Sequence, residues 1–358
     1  MELYLRDENG RRIDILPEFE SLSWRTGLMT TRANLKAPIR CFSNFSDAVY
    51  LERSDLDTIL FISSKSVVDR PSEKGAYLSA YDPVELLRRR VLWWTHNFNN
   101  MRREEVITRL VAAATITRPE VSGSRAIPLF AAMQNTGAPT PLLNERLTQQ
   151  ISWNDVYGRI ESLLEGLPIR FFSQHNGSRI TPALYEGQDL TRKVVVSTEH
   201  GDLSNAELTF ASVDRNILAV IAGQGEGSDR VVVTAQDSSL SPTFGELWVD
   251  ANDIGDDDGE SGTVPHAQVV AALRTRGLEK LHEQPCEHAL TASISQSRFQ
   301  YGTDYQVGDR ISYEAFGARH SDVISEVEEV FEGQHSRTNI TIGTTHPTIR
   351  QIVDRSKR

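Results

Sequence analysis

Three stretches of the chain carry residue types that could do chemistry. The first is Gly223-Gln-Gly-Glu-Gly227, which follows the apolar run Ile217–Ile221. A glycine-rich turn behind a strand is how dinucleotide-binding folds bring backbone amides to a pyrophosphate. That fingerprint, G-x-G-x-x-G, needs its third glycine one residue later and a helix after it. Here Ser228-Asp-Arg230 leads into Val231-Val-Val233, which reads as a strand, so the glycines are expected to form a turn between strands. The second stretch is Asp250-Ala-Asn-Asp-Ile-Gly-Asp-Asp-Asp-Gly-Glu260. An EF-hand loop requires oxygen ligands at positions 1, 3 and 5, glycine at 6 and glutamate at 12. Counting from Asp250, Asn252 and Gly255 fit, but Ile254 and Ser261 stand where two ligands belong. A solvated acidic loop is expected, with a non-standard cation site as the alternative. The third stretch holds His282, Cys286 and His288, with His266 one helix upstream. Spacings of four and then two match no common zinc pattern, and no metal site is expected there.

Nucleophile motifs are missing from the sequence: it has no G-x-S-x-G, no H-E-x-x-H and no G-x-x-x-x-G-K-[ST], the patterns that place a serine, a zinc or a phosphate. Distant Cys–His or paired-carboxylate arrangements are not excluded by spacing, but nothing supports them. Cys41 and Cys286 are the two cysteines; they read as reduced, mostly buried thiols, with a long-range disulfide as the open alternative. Trp93-Trp94-Thr-His-Asn-Phe98 beside Arg88-Arg-Arg90 has the make-up of a basic-aromatic patch for single strands. Yet Trp94 completes a helical stripe with Val84, Leu87 and Val91, which makes the tryptophans core or subunit-interface anchors. No catalytic, cofactor-binding or metal-binding residue is assigned.

Composition narrows the field. The 358 residues carry 38 basic and 49 acidic side chains, a net charge of −11, with 39% hydrophobic and 24% charged residues. This is a folded protein, and its charge argues against a general nucleic-acid binder. The apolar runs Leu110–Ile116 and Ile217–Ala222 fall short of the roughly 18 residues of a membrane span. Met1 to Arg12 carries charges of both signs around no apolar core, so no signal peptide is expected. Arginine outnumbers lysine 32 to 6, scattered among acids.

The elements that must position these residues read as follows. Residues 1–81 form short strands around Leu3 and Leu5, Ile13–Leu16, Leu22–Trp24, Ala33–Leu35, Ala48–Leu51 and Thr58–Ile62, the pattern of a small barrel or sandwich. Residues 82–190 are a mixed α/β domain. Asp82-Pro83 starts a helix through Val84, Leu87, Val91 and Trp94, since aspartate caps free amides and proline suits the first helical position. A second helix carries Val106, Leu110 and Ala113 on one face, with Arg102–Glu105 solvating its start. A third begins at Ser152 with Asp155, runs through Val156, Ile160 and Leu163 and stops at Gly166. From 191 to 350 strands return, interrupted by a helical insertion at about 246–288 in which Pro265 opens a helix through Val269, Ala272, Leu273 and Leu281. Thr338-Asn-Ile-Thr-Ile342 alternates strictly, and 351–358 is a polar tail. The fold class is thus α+β and β-rich.

Several segments recur in this order in a known family. Phe19-Glu-Ser-Leu-Ser-Trp24, Val84-Glu-Leu-Leu-Arg-Arg-Arg-Val91, Gly201-Asp-Leu-Ser-Asn-Ala206, Gly223–Arg230, Leu247-Trp-Val-Asp250, Arg276-Gly-Leu278, Tyr301–Asp309, Ile324–Glu328 and Ile340-Thr-Ile-Gly343 together resemble the minor tail proteins that form the central hub of the siphophage tail tip. That family, typical of phages of actinobacteria, is akin to the trimeric baseplate hub of contractile tails. Asp256-Asp-Asp258 lies outside the matching pattern.

The resemblance implies a structural virion protein, not an enzyme: a homotrimer whose two small β-barrel hub domains, with the α/β domain between them, adapt a six-fold tail tube to a three-fold tip. It implies distal tail, tape-measure and tail-fibre or tip proteins as partners, DNA only in transit, and assembly in the host cytoplasm. No cofactor and no stable membrane insertion are expected. Two rival readings remain, a tail-associated cell-wall hydrolase and a sugar-binding receptor module using exposed Trp24, Trp93 or Trp94.

Overall fold

Alternation decides the N-terminal region. In Ser21–Gly27 the side chains of Leu22, Trp24 and Thr26 are buried, and in Thr31–Ala37 those of Thr31, Ala33, Leu35 and Ala37; period-two burial of this kind forces a strand with one face on a core. The computed structural model describes residues 1–92, 96–115, 127, 129–134, 140–151, 155–211, 216–227, 230–236, 245–255, 265–282, 287–333 and 335–343. It is rich in strands and falls into two compact units, one of Met1–Glu207 with Leu290–Ile342, the other within Leu208–Ala289.

In the first unit, strands His335–Gly343, Ala318–Glu332, Ser21–Gly27, Thr31–Ala37, Glu73–Tyr81, Ile59–Arg70, Tyr50–Arg53, Leu3–Arg6 and Arg12–Ile15 hydrogen-bond in that order, each antiparallel to its neighbours. The start of the chain therefore shares a sheet with its last third: Gly27 pairs with Glu326 and Ser21 with Glu332. Ala318–Glu332 also changes partners along its length. Its first half pairs with Arg310–Ala315, and after a bulge between Ile324 and Glu326 its second half pairs with Ser21–Gly27. A bulge bends and twists a strand, which is how one strand turns the corner from one sheet into the next.

Under this sheet lie Leu3, Leu5, Leu22, Trp24, Leu35, Phe45, Leu51, Leu60 and Leu78. Buried among them is Arg53, whose guanidinium pairs with Asp55 at 2.7 Å and Glu329 at 2.8 Å and stands 5.2 Å from the rings of Trp24 and Phe331. A second ion cluster ties the sheet margin: Glu52 accepts from Arg6 Nε at 2.7 Å and from Arg12 Nη2 at 2.8 Å. Burial pushes the Glu52 carboxyl up, but the two guanidiniums outweigh it and hold the group at about 2. With the folded value below the ordinary 4.5, ionised Glu52 contributes stability that is complete above 4.5 and lost as pH falls toward 2. Urea midpoints should therefore drop steeply across this window, and Glu52→Gln should flatten that drop. An equally steep loss in the variant would refute the assignment.

The expected helix at 82–94 is a single 3₁₀ segment, Pro83–Arg89. Asp82 does cap it, its Oδ1 accepting from Val84 N at 3.1 Å, but its Oδ2 also accepts from Ser173 N at 3.1 Å. The chain turns away after Arg90, which leaves Val91 44% exposed and outside any apolar stripe. The second helix is Arg103–Thr115, and its start is buried rather than solvated. Arg103 donates to the carbonyls of Leu142 at 3.2 Å and Leu163 at 2.8 Å, a cation closing the C-terminal end of the next helix. That helix is Val156–Leu164, capped by Asp155 Oδ1. With the hairpin Ile169–His175 and Ile180–Glu186 these helices enclose the second core, which includes Leu110, Tyr157, Ile160 and Phe171.

The described residues of the second unit include a three-stranded sheet and a helix. Asn216–Ala222 lies between antiparallel Val232–Gln236 and parallel Gly245–Asp250. Helix His266–His282 buries Val269, Leu273 and Leu281 against Ala219, Ile221, Ala235 and Val249. Ala272, expected on the packed face, is exposed. Helix and sheet approach closely at Gly277, where a Cβ would sit 2.5 Å from Ile221 Cδ1.

Candidate functional site

The glycine stretch is a hairpin turn. Gly223 N donates to Val231 O at 2.9 Å, Ala222 pairs with Val232, and Gly225 and Gly227 take positive φ of 117° and 59°, the backbone region glycine enters without strain. Arg230 fills this turn, donating from Nε to Gly223 O at 2.7 Å and from Nη2 to Ala222 O at 3.0 Å. A strand and not a helix follows the turn, and the Arg230 guanidinium is taken up by backbone carbonyls, so the described residues do not make the dinucleotide-binding arrangement. The same guanidinium pairs with Asp250, and Arg276 pairs with Asp253 at 2.9 Å. Two carboxylates at the start of the acidic stretch are thus engaged in ion pairs, and 256–260 lies outside the described residues.

His266 is exposed at the start of its helix. Cys286 and the side chains of His282 and His288 lie outside the described residues, so the disulfide alternative does as well. Cys41 is buried with its Sγ 4.0 Å from Glu18 Oε1, and burial pushes its pKa up, away from nucleophilic reactivity. Among the described residues no group of three or more His, Cys, Asp or Glu side chains is placed to hold a metal ion, and no helix is long and apolar enough to cross a membrane.

Trp24 is 1% exposed, which corrects its reading as a sugar-binding residue; it faces the core because Leu22, Trp24 and Thr26 share the inward side of one strand. Trp93 and Trp94 lie outside the described residues. Of the two described indoles the other, Trp248, is 59% exposed. Its alternation with buried Val249 in Gly245–Asp250 was the available signal.

Two shallow recesses mark the first unit. One of about 300 Å³ is lined by Arg25, Asn205, Ser293, Glu326, Glu328 and Asn339, among others. Its polar groups close on one another: Glu328 accepts from Ser23 Oγ at 2.7 Å and Asn339 Nδ2 at 3.2 Å, and Arg25 stands 3.3 Å from Glu328 and 3.5 Å from Glu326. The other, of about 200 Å³, lies beside Thr198, Glu199, Glu314 and Arg319. Neither lining pairs a nucleophile with a base, and the polar groups serve to knit strands together. Asp309 does the same elsewhere, accepting from Tyr185 Oη at 2.5 Å, Gln188 N at 2.8 Å and Gln306 N at 2.9 Å.

The chain is similar in fold to solved tail proteins. It aligns with the tail protein from Neisseria meningitidis MC58 at a TM-score of 0.59 and 10% identity, over 96% of each chain. With the 43 kDa tail protein of prophage MuSo2 from Shewanella oneidensis the TM-score is 0.56 at 12% identity, over 96% of this chain and 98% of that one. Prophage tail protein gp18 from Listeria monocytogenes EGD-e gives 0.54 and 12%, over 100% and 98%. At such identities the likeness is one of fold. Residues 62–344 match the family of Siphovirus ReqiPepy6 Gp37-like proteins, and the chain belongs to that family, in agreement with the resemblance read from its sequence. No curated protein matches it.

Proposed function

We propose that the chain is a structural component of a siphophage tail tip: a homotrimeric hub, without enzymatic activity, that closes or adapts the tail tube and lets the tape-measure protein and DNA pass. What carries this reading is agreement in fold, over nearly the whole chain, with tail proteins, two of them from prophages, in a chain of a siphovirus family. In it, residues 1–81 and 191–350 supply two barrel-like hub domains around the α/β region 82–190. The partner change of Ala318–Glu332 at its bulge favours such closure. Distal tail, tape-measure and fibre or tip proteins are its partners, and the virion its location. A net charge of −11 suits a channel that releases DNA. Light scattering on the purified chain should give three times 40.1 kDa; a chain that stays monomeric at its highest attainable concentration would sink the proposal.

A further inference from the structure

Among the described residues, the sheet of the second unit has a helix on one face only. Ala219, Ile221, Ala235 and Val249 point to that helix, so the alternate residues point the other way. Register places these in three rows across the strands: Gln236, Leu218 and Glu246; Thr234, Val220 and Trp248; Val232, Ala222 and Asp250. Trp248 is 59% exposed and Val232 52%, while Gln236, Thr234, Glu246 and Asp250 are exposed around half-buried Leu218 and Val220. An indole thus lies open on the sheet, with a carboxylate two residues away on either side and a hydroxyl and an amide across the strands.

Area decides between kinds of occupant. Strands about 4.8 Å apart and rows about 6.8 Å apart give this face on the order of 200–300 Å², well short of the roughly 800 Å² per partner of a stable protein interface. Its carboxylates also belong to the residue types depleted in such interfaces. Charge decides the rest. The cation beside the face, Arg230, is already paired with Asp250, and Glu246 stands on the same face as the indole. A phosphate, a nucleic acid or an anionic polymer would meet repulsion there. What remains is a small ligand with an apolar flat side and a rim of hydroxyls. We propose that this face binds an uncharged saccharide, one pyranose ring lying on the Trp248 indole while Glu246, Gln236 and Thr234 take its hydroxyls. The aromatic ring supplies the apolar contact and the planar polar groups fix orientation, the usual division of labour in a small-ligand site. The site goes beyond the hub reading and stands whether or not the chain trimerises.

The test is isothermal titration calorimetry of the full chain with two uncharged tetrasaccharides, one of N-acetylglucosamine and one of glucose. At least one should bind; Trp248→Ala should weaken it by about tenfold or more, with Trp248→Phe retaining most of the affinity. Because the indole is exposed, far-UV circular dichroism of both variants should match the wild type. Failure of both sugars to bind at about 10 mM, or binding that Trp248→Ala leaves unchanged, overturns the proposal. So does a loss of oligomer mass in Trp248→Ala, which would make the indole a protein anchor, or heparin binding that depends on Trp248.

Discussion

Gly187→Ala is expected to destabilise the first unit by on the order of 4 kcal/mol or more, lowering its melting temperature by roughly 10 °C. A Cβ at this position would lie 1.8 Å from the carbonyl oxygen of Gly308 and 2.2 Å from its carbon. The obstacle is backbone, so no side chain can swing aside. Nor can the two segments part easily. Gly187 N donates to Pro168 O and Gly308 N to Ile324 O, both at 2.9 Å, and the Asp309 carboxylate clamps Tyr185, Gln188 and Gln306 around them. Gly201→Ala is the control: its surroundings are open and only its positive φ of 74° resists a side chain, a cost of about 1 kcal/mol. If the two variants melt within a few degrees of each other, the close approach is not what holds Gly187.

Breaking the Arg53 cluster should come next in size. Removing one partner of a buried pair leaves an uncompensated charge in a medium that solvates it poorly, a penalty of about 3–5 kcal/mol. Arg53→Met leaves Glu329 facing Trp24 and Phe331, and Glu329→Leu leaves Arg53, whose side chain is 2% exposed, with Asp55 alone. The double variant Arg53→Met with Glu329→Leu replaces charge by apolar volume and should recover most of the loss, since apolar replacement of a buried pair is often neutral. Denaturant unfolding of the four proteins closes a double-mutant cycle. A coupling energy near zero would mean that the pair contributes nothing beyond packing.

Local rules carried the sequence reading where the deciding contacts are local. Asp155 caps a helix and Asp82-Pro83 opens a turn because both act on amides two or three residues away. Strict alternation at Thr338–Ile342 marked a strand because half of its residues face a core, and the glycines at 223–227 marked a turn because Val231–Val233 could be read as its second arm. The misses share a cause as well. Val84 and Leu87 have helical spacing, but Arg90 O accepts from Val156 N at 2.9 Å and Val91 bridges to Asp155, so a distant segment draws the chain out straight after Arg89. Arg103 and Glu104 look like a solvated start until Leu163 and Glu145 arrive from sixty and forty residues on. Trp24 stands between Ser23 and Arg25 and is buried, Trp248 between Leu247 and Val249 and is exposed; which face of a strand meets the core is settled by what packs there. The candidate sugar face was illegible for the same reason, since it needs the register of three strands.

The shared sheet has a consequence for how the molecule is made. Ser23 and Glu328, 305 residues apart, hydrogen-bond at 2.7 Å, so one side of Ser21–Gly27 waits for its neighbour until nearly the whole chain has left the ribosome. During synthesis that strand is an open edge with Leu22 and Trp24 behind it, the kind of surface that recruits wrong partners. Closing so long a loop is slow because its entropy must be lost before the pairing rewards it. The seam between Ser21–Gly27 and Ala318–Glu332 therefore closes late, and a product lacking 318–332 would be left sticky rather than merely shorter.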